Sequence, residues 1–337
     1  MPQNTKNRAT IEDVANLANV STATVSRVMN KNGQVAKKTS DRVLEAIEEL
    51  NYTPHSGARQ MAGGRPNLVG LIFPAIGDPF MSELLEGIET KLVEEGYDLL
   101  LYSSQRHGES PLFLPLNEHN SDGLIVFADS LSDAELSRFH QLNFPLVLLH
   151  QNPPEGLDIP CVTVENKKGA RTAVKHLIDH GYKNIAFLAG LEGHEDAEWR
   201  EIGYKEELAK HNIPFRPELI GYGGFSAETA EAAVENWLLE GIDIDAIFAA
   251  DDNSAQGAIF ALQRAGKRIP EDIAIIGFDD ITFSRYMSPP LTTIRMPIME
   301  AGKQAAIQLL KLMKGEKATP LTLLPTDLIV RGSCGKD

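Results

Sequence analysis

The sequence predicts a small all-α module joined to a larger α/β body made of two doubly wound parallel-sheet lobes. Three observations carry that prediction. Apolar residues recur every three or four positions between Thr10 and Leu50, which is helical spacing. From Asn67 onward, short apolar runs alternate with helical stretches, as they do in parallel sheets with crossover helices. Charge is also divided. Residues 1–65 hold nine Lys and Arg against six Asp and Glu, a net of +3, while the whole 337-residue chain is −15 and the body is therefore −18. A basic module ahead of an acidic body assigns any approach to phosphates to the first part alone.

The composition is that of a globular chain, with 42% hydrophobic and 23% charged residues. No run of 18 uncharged apolar residues occurs, so no transmembrane helix is predicted. The polar start, Met1 to Arg8, leads into no apolar segment. No signal peptide is therefore expected, and a cytoplasmic location is predicted. Cys161 and Cys334 stand far apart and form no metal or redox motif.

In the first module, Thr10 can cap a helix carrying Ile11, Val14, Ala15 and Ala18, with Asp13 at the capping-box position. Ala18-Asn19-Val20 turns the chain. Ser21 can then cap a second helix, Thr22 to Met29, with Val25 and Val28 inward. A third helix is predicted from Lys37 to Leu50, with a stripe of Val43, Ile47 and Leu50. Pro54 cannot continue it. Two short helices, a tight turn and a closing helix make a helix-turn-helix domain. Its second helix offers Thr22, Ala23, Ser26 and Arg27 outward. Short side chains let such a helix enter a major groove, and Arg27 can bond guanine or phosphate.

The runs Thr10-Ile11-Glu12-Asp13-Val14-Ala15 and Val20 to Asn30 resemble the headpiece signature of the LacI/GalR transcription regulators. Asn51-Tyr52-Thr53-Pro54 and Ala58-Arg59-Gln60-Met61-Ala62 resemble the same family's hinge. The resemblance implies that Thr22, Ala23 and Arg27 read bases, while Thr10, Ser21, Thr24, Ser26 and Asn30 meet or orient the backbone. It implies a hinge that folds on operator DNA, touching it through Ala58 and Met61. Met61 stands where the family's wedge leucine is usual, and methionine can still pry a base step open. His55 replaces a usual asparagine. Gly57, Gly63 and Gly64 disfavour a helix in the free chain.

In the body, strands are read at Leu68–Phe73, Tyr97–Tyr102, Gly123–Phe127 and Pro145–Leu149. A second series follows at Cys161–Val164, Asn184–Leu188, Ala246–Ala249 and Ile273–Phe278. Ligand is then expected between two lobes, at the strand C-termini. No phosphate-loop, dinucleotide, zinc-protease or nucleophile-elbow motif appears, so neither an enzyme nor a cofactor or metal is predicted. The body resembles the same family's regulatory core, itself similar to periplasmic sugar-binding proteins. The matching blocks are Phe73 to Phe80, Ile275 to Asp280 and Pro289 to Ile294.

That resemblance places ligand contacts at Asp78, Arg200, Asp251 and Asp279. Phe80, Phe127 and Phe225 are candidate ring covers and His150 a polar contact at a strand end. The chemistry fits a sugar, since carboxylates accept from hydroxyls, guanidinium donates in pairs and aromatics cover C–H faces. Other assignments stay open. Arg200 and Asp279 can pair structurally, Asp251 and Asp252 can cap the next helix, and Phe127 and Phe225 can be core. The domain boundaries predicted are 1–53 for the headpiece, 54–66 for the hinge and 67–337 for the core. The N-lobe takes about 67–165 and 296–323, and the C-lobe 166–295 and 324–337.

The predicted function is a ligand-responsive repressor that binds palindromic double-stranded operator DNA and is released by a mono- or oligosaccharide effector. A homodimer is predicted, because one headpiece is too small for tight specificity and no C-terminal leucine heptad exists to tether a tetramer. No membrane partner is expected. The rivals are a nucleobase-responsive corepressor system, control by a partner protein, and an exported sugar-binding protein.

Overall fold

The computed structural model describes residues 9–29, 35–52, 66–74, 79–104 and 114–335. Asn30, His55, Gly57, Ala58, Met61, Gly63, Gly64 and Asp78 lie outside them. Two compact units are found, Met1–Pro66 and Asn67–Asp337.

The first unit holds α1 (Ile11–Leu17), α2 (Thr22–Met29) and α3 (Lys37–Glu49). Thr10 caps α1 through a full capping box. Its N–H and hydroxyl donate to Asp13 Oδ2 at 2.8 Å, and the Asp13 N–H donates back to Thr10 Oγ1 at 3.2 Å. Asn19 turns the chain with φ +50°, a conformation asparagine tolerates. The Thr24 N–H then donates to Ser21 Oγ at 3.2 Å, opening α2. Val14, Ala15, Ala18, Val25, Val43, Ala46 and Tyr52 form a core of their own. Ala46, rather than Ile47 or Leu50, is the fully buried partner of Val43 on α3. Ile47 and Leu50 pack from the edge.

The second unit contains two sheets. The first comprises β1 (Leu68–Phe73), β2 (Asp98–Ser103), β3 (Gly123–Phe127), β4 (Leu146–Leu149), β5 (Cys161–Val164) and a late strand, β11 (Leu321–Leu324). Its order is β11-β5-β4-β3-β1-β2, all parallel. Helices α4 (Pro79–Glu94) and α5 (Asp133–Gln141) follow β1 and β3. The second sheet has β6 (Ile185–Ala189), β7 (Ile220–Tyr222), β8 (Ala246–Ala249), β9 (Ala274–Asp279), β10 (Thr292–Arg295) and β12 (Asp327–Ile329). Its order is β12-β10-β9-β8-β6-β7, and only β12 runs antiparallel. Helices α6 (Asn166–Asp179), α7 (Glu195–Lys210), α8 (Ala227–Leu239) and α9 (Asp252–Arg264) serve this lobe.

The chain leaves the first sheet after β5 and returns after β10 through α10 (Ile298–Met313), which packs along α4. It crosses a third time between β11 and β12. Gly87 and Gly302 let α4 and α10 meet backbone to backbone. A Cβ at Gly87 would overlap the Met299 carbonyl oxygen, and one at Gly302 the Leu84 carbonyl oxygen.

The central strands β3, β4, β8 and β9 are buried throughout, as their unbroken apolar runs predict. The Tyr97–Tyr102 run departs from that reading. Strand β2 starts at Asp98 and is the sheet edge, so Leu100 and Leu101 face solvent at 45% and 41% exposure. Apolar character alone does not tell an edge strand from a central one.

Candidate functional site

On the first unit, α2 presents Ser21, Thr22, Ala23 and Arg27 as exposed residues, with Thr24 and Ser26 half-buried beside them. Its first turn carries no acid. The helix N-terminus and Arg27 therefore form a short face without local repulsion for phosphate. Thr10 is exposed as well, with its hydroxyl committed to Asp13.

On the second unit, a cavity of about 230 Å³ opens between the two sheets at their strand ends. Phe80, Phe127, Arg200, Phe225, Asp251 and Asp279 all line it. Six of the candidates are thus brought together, from α4, β3, α7 and β9 and from the segments that follow β7 and β8. Phe80 stands on the first turn of α4. Its ring meets Phe127, at the end of β3, edge-on at 6.0 Å and 72°. His150, just past β4, packs against both rings at 5.6 and 5.4 Å. His150, Phe225 and Asp279 have φ of +60°, +57° and +112°. Strained backbone at three strand or turn ends around one cavity is typical of a site held for function.

Arg200 is 3% exposed. Its Nε donates to Asn166 Oδ1 at 2.9 Å, and one amino group donates to the Ala250 carbonyl at 2.5 Å while lying 3.3 Å from Asp279 Oδ1. The guanidinium lies 3.9 Å from the centre of the Phe278 ring. Arg200 and Asp279 therefore pair structurally and also face the cavity. Asp251 likewise serves two purposes. It caps α9, accepting from the Asn253 and Ser254 N–H groups at 3.1 and 3.2 Å, and it lines the cavity.

Three residues of the network escape the sequence reading. Asp196, on α7, accepts from Asn166 Nδ2 at 2.7 Å and pairs with His150 Nδ1 at 2.8 Å, so it joins the two lobes. Burial works to raise its carboxyl, but His150, by charge and hydrogen bond, and then Arg200 hold it below the usual range. His194, which caps α7 without a side-chain bond, meets Phe225 edge-on at 5.3 Å. Burial, with Arg200 and His150 adding and Asp196 opposing, lowers its pKa. Asn166 opens α6 and ties Asp196 to Arg200. One signal was present: Asp196 and Arg200 stand four apart, so they share a helix face.

Asp252 lies behind the site. It is fully buried and accepts from the Thr293 and Ser284 hydroxyls at 2.6 and 2.5 Å and from the Ile281 N–H at 3.1 Å. Burial pushes its pKa up to about 7. Near the cleft, Thr282 donates to Glu83 Oε1 at 2.7 Å, a further bond between the lobes.

The sequence matches two family models. Residues 10–55 match "Bacterial regulatory proteins, lacI family" and residues 174–334 match "Periplasmic binding protein-like domain". The chain is 37% identical over 328 residues to the ribose operon repressor of Halalkalibacterium halodurans, covering 96% of each. It resembles the lac repressor dimer bound to operator and the anti-inducer ONPF, with TM-score 0.81 and 29% identity over 97% of this chain and 99% of the other. It also resembles a LacI family transcriptional regulator from Enterococcus faecium with bound ribose. There the TM-score is 0.72 at 30% identity, over 79% of this chain and 98% of that one.

Proposed function

The chain belongs to the LacI family of bacterial regulatory proteins, which are ligand-responsive DNA-binding repressors, and from that premise we propose how its residues divide the work. The observation that carries the proposal is the convergence of Phe80, Phe127 and Phe225 with Arg200, Asp251 and Asp279 on one interlobe cavity. A sugar ring lies against the aromatics and is fixed by the polar set, with His150 packed behind the Phe80 and Phe127 rings; Asp78 joins the ligand contacts by family resemblance alone. Binding draws the lobes together and releases operator DNA. A ~100-fold loss of operator affinity needs only about 3 kcal/mol of coupling. The T-shaped Phe80–Phe127 pair gives no parallel faces to sandwich a base, which favours the sugar over a nucleobase.

On DNA, Thr22, Ala23 and Arg27 read bases. Thr10, Ser21, Thr24, Ser26 and Asn30 hold the backbone, and residues 54–66, through Ala58 and Met61, form the hinge. The functional unit is a homodimer with no catalytic activity, working in the cytoplasm. Two exposed apolar areas support dimerisation. One is the β2 edge with Leu100 and Leu101. The other, on the C-lobe, carries Phe260, Phe283 and Tyr286. Buried together across a two-fold axis, they would remove patches a monomer rarely leaves open.

Operator selection followed by fluorescence anisotropy tests the proposal. A matching sugar should weaken operator binding in the wild type and have no effect in Arg200→Ala. Arg27→Ala should cost ~1–3 kcal/mol per half-site on operator. An equal loss on random DNA would reassign Arg27 to phosphate.

A further inference from the structure

A second cavity, of about 360 Å³, opens where the chain passes from β5 into α6, and no residue assigned to DNA or effector lines it. It has an apolar side and a charged side. Val164, Leu321, Leu323 and Trp199 form the first. Leu321, Leu323 and Trp199 stay 49%, 50% and 41% exposed, an uncovered cluster rather than scattered apolar residues. The Trp199 Nε1 donates to Glu195 Oε1 at 3.1 Å, so one edge of the indole is fixed while much of the ring is open. An indole held in that way is a platform for a second flat ring.

On the charged side, Lys167, Lys168 and Arg171 stand with Glu165 and Glu195, a net of +1 among the described residues that line the cavity. The effector cavity, by contrast, sets three carboxylates against one guanidinium. Lys167 is held by Glu206 at 2.6 Å. Arg171 donates to Glu207 through Nε at 2.9 Å. Its amino groups make no hydrogen bond among the described residues, with Glu206 3.9 Å away. Two such groups side by side match the two oxygens of a carboxylate. Lys168 pairs with Glu165 at 2.6 Å, but its side chain is 67% exposed and the pair spans one helical turn. Exposed pairs of this kind are worth little and yield to a better anion.

We infer that this cavity is an accessory binding site for a small aromatic acid, whose ring packs on Trp199, Leu321 and Leu323 while Arg171 and Lys168 take its carboxylate. The site spans both lobes. Leu321 and Leu323 belong to β11 of the first sheet, and the Asn152 N–H, after β4, donates to Glu195 Oε2 of α7 at 2.6 Å. It also shares a wall with the effector cavity. Asn166 lines the accessory site and bonds Arg200 and Asp196, which line the other. An occupant therefore acts on the same lobe closure from a separate place, and the coupling is reciprocal. Strand β11 is the sheet edge opposite β2, so a dimer formed through β2 leaves the cavity open.

Titration of the full-length protein with phenylacetate, phenylacetamide and phenethylamine, followed by calorimetry and tryptophan emission, tests the inference. Phenylacetate should bind about tenfold tighter than the amide, with the amine weaker still, and should change the emission. That signal belongs to Trp199, since the other tryptophan, Trp237, is 5% exposed with its Nε1 given to the Glu218 carbonyl. The amide or the amine binding as tightly as the acid would overturn the charge assignment. Silence from all three at millimolar concentration would overturn the site. Leu323→Glu sets a carboxylate against the ring and should weaken phenylacetate about tenfold or more. Lys168→Gln should weaken it about threefold, and both variants should keep the wild-type melting temperature. Full affinity in Leu323→Glu would place the ligand elsewhere. Saturating phenylacetate should also shift operator affinity by about threefold or more, and no shift would remove the coupling. None of these readouts needs a sugar, so failure here leaves the sugar-responsive reading standing.

Discussion

The two lobes make unequal contributions to the cavity between them. The N-lobe supplies Pro74, Phe80, Met81 and Phe127, all apolar, whereas the C-lobe supplies His194, Asp196, Arg200, Asp251 and Asp279 along with Leu191 and Phe225. The difference teaches where recognition is built. Much of the polar set is locked by bonds within its own lobe, Arg200 to Asn166 and Ala250 and Asp251 to the α9 N-terminus, while Asp196 also reaches His150 of the other lobe. It is preorganised before any ligand arrives. The apolar set gains most when closure removes it from water. On the proposed reading, one lobe selects the ligand and the other rewards closure.

The hardest test of that asymmetry is Arg200→Ala. It leaves Asp196 and Asp279 buried beside an empty site, so a stability loss of about 3–5 kcal/mol is expected, with effector affinity down by more than 100-fold. Thermal unfolding and calorimetry check it together. Loss of affinity at unchanged stability would mean that Arg200 serves the ligand alone.

A second test uses pH, which acts on the C-lobe through Asp252. Its folded pKa of about 7 lies above the 3.8 of the unfolded chain. The fold thus keeps a proton that the unfolded chain gives up. The resulting stabilisation is complete below about pH 4 and is lost as pH rises through 7. His176 and His194, lowered chiefly by burial, act with the opposite sign below 6.5, but they cancel when wild type and Asp252→Asn are compared. Between pH 5 and 7.5 the difference in unfolding free energy should drift against the wild type by about 2–3 kcal/mol. A pH-independent difference would show that Asp252 does not titrate there.

The smallest effect belongs to the N-lobe. Phe80 is half-buried, so Phe80→Ala should cost about 1–2 kcal/mol of effector binding and little unliganded stability. If it lost as much as Arg200→Ala, the division of labour between the lobes would be wrong.

The sequence was most legible where one force dominates. Strands β3 and β8 are read to the residue because unbroken apolar runs have one cheap resting place, a sheet covered on both faces. The α1 cap is read through Thr10 and Asp13 because it depends on neighbours three residues apart. Of the cavity, Phe80, Phe127, Arg200, Phe225, Asp251 and Asp279 were named in advance, with His150 beside them. The rest was hidden because its partners are remote. Asp196 meets His150 across 46 positions and Asn166 across 30, and no local pattern announces such a bond. The alternatives open for Arg200 and Asp251 coexist for a physical reason, since a buried charge needs several partners at once. Arg200 is both ion-paired and exposed to the cavity, and Asp251 is both a cap and part of the lining.

The glycine contact between α4 and α10 has a genetic consequence. Any side chain at Gly87 or Gly302 would force the two helix backbones apart. Yet neither residue lies on α2 or lines the cavity. A screen for constitutive expression of the regulated genes should therefore recover substitutions at both positions, scattered in sequence but alike in phenotype. A bulky residue at one would not be rescued by shrinking a side chain at the other, because each meets a main-chain carbonyl that no substitution can trim.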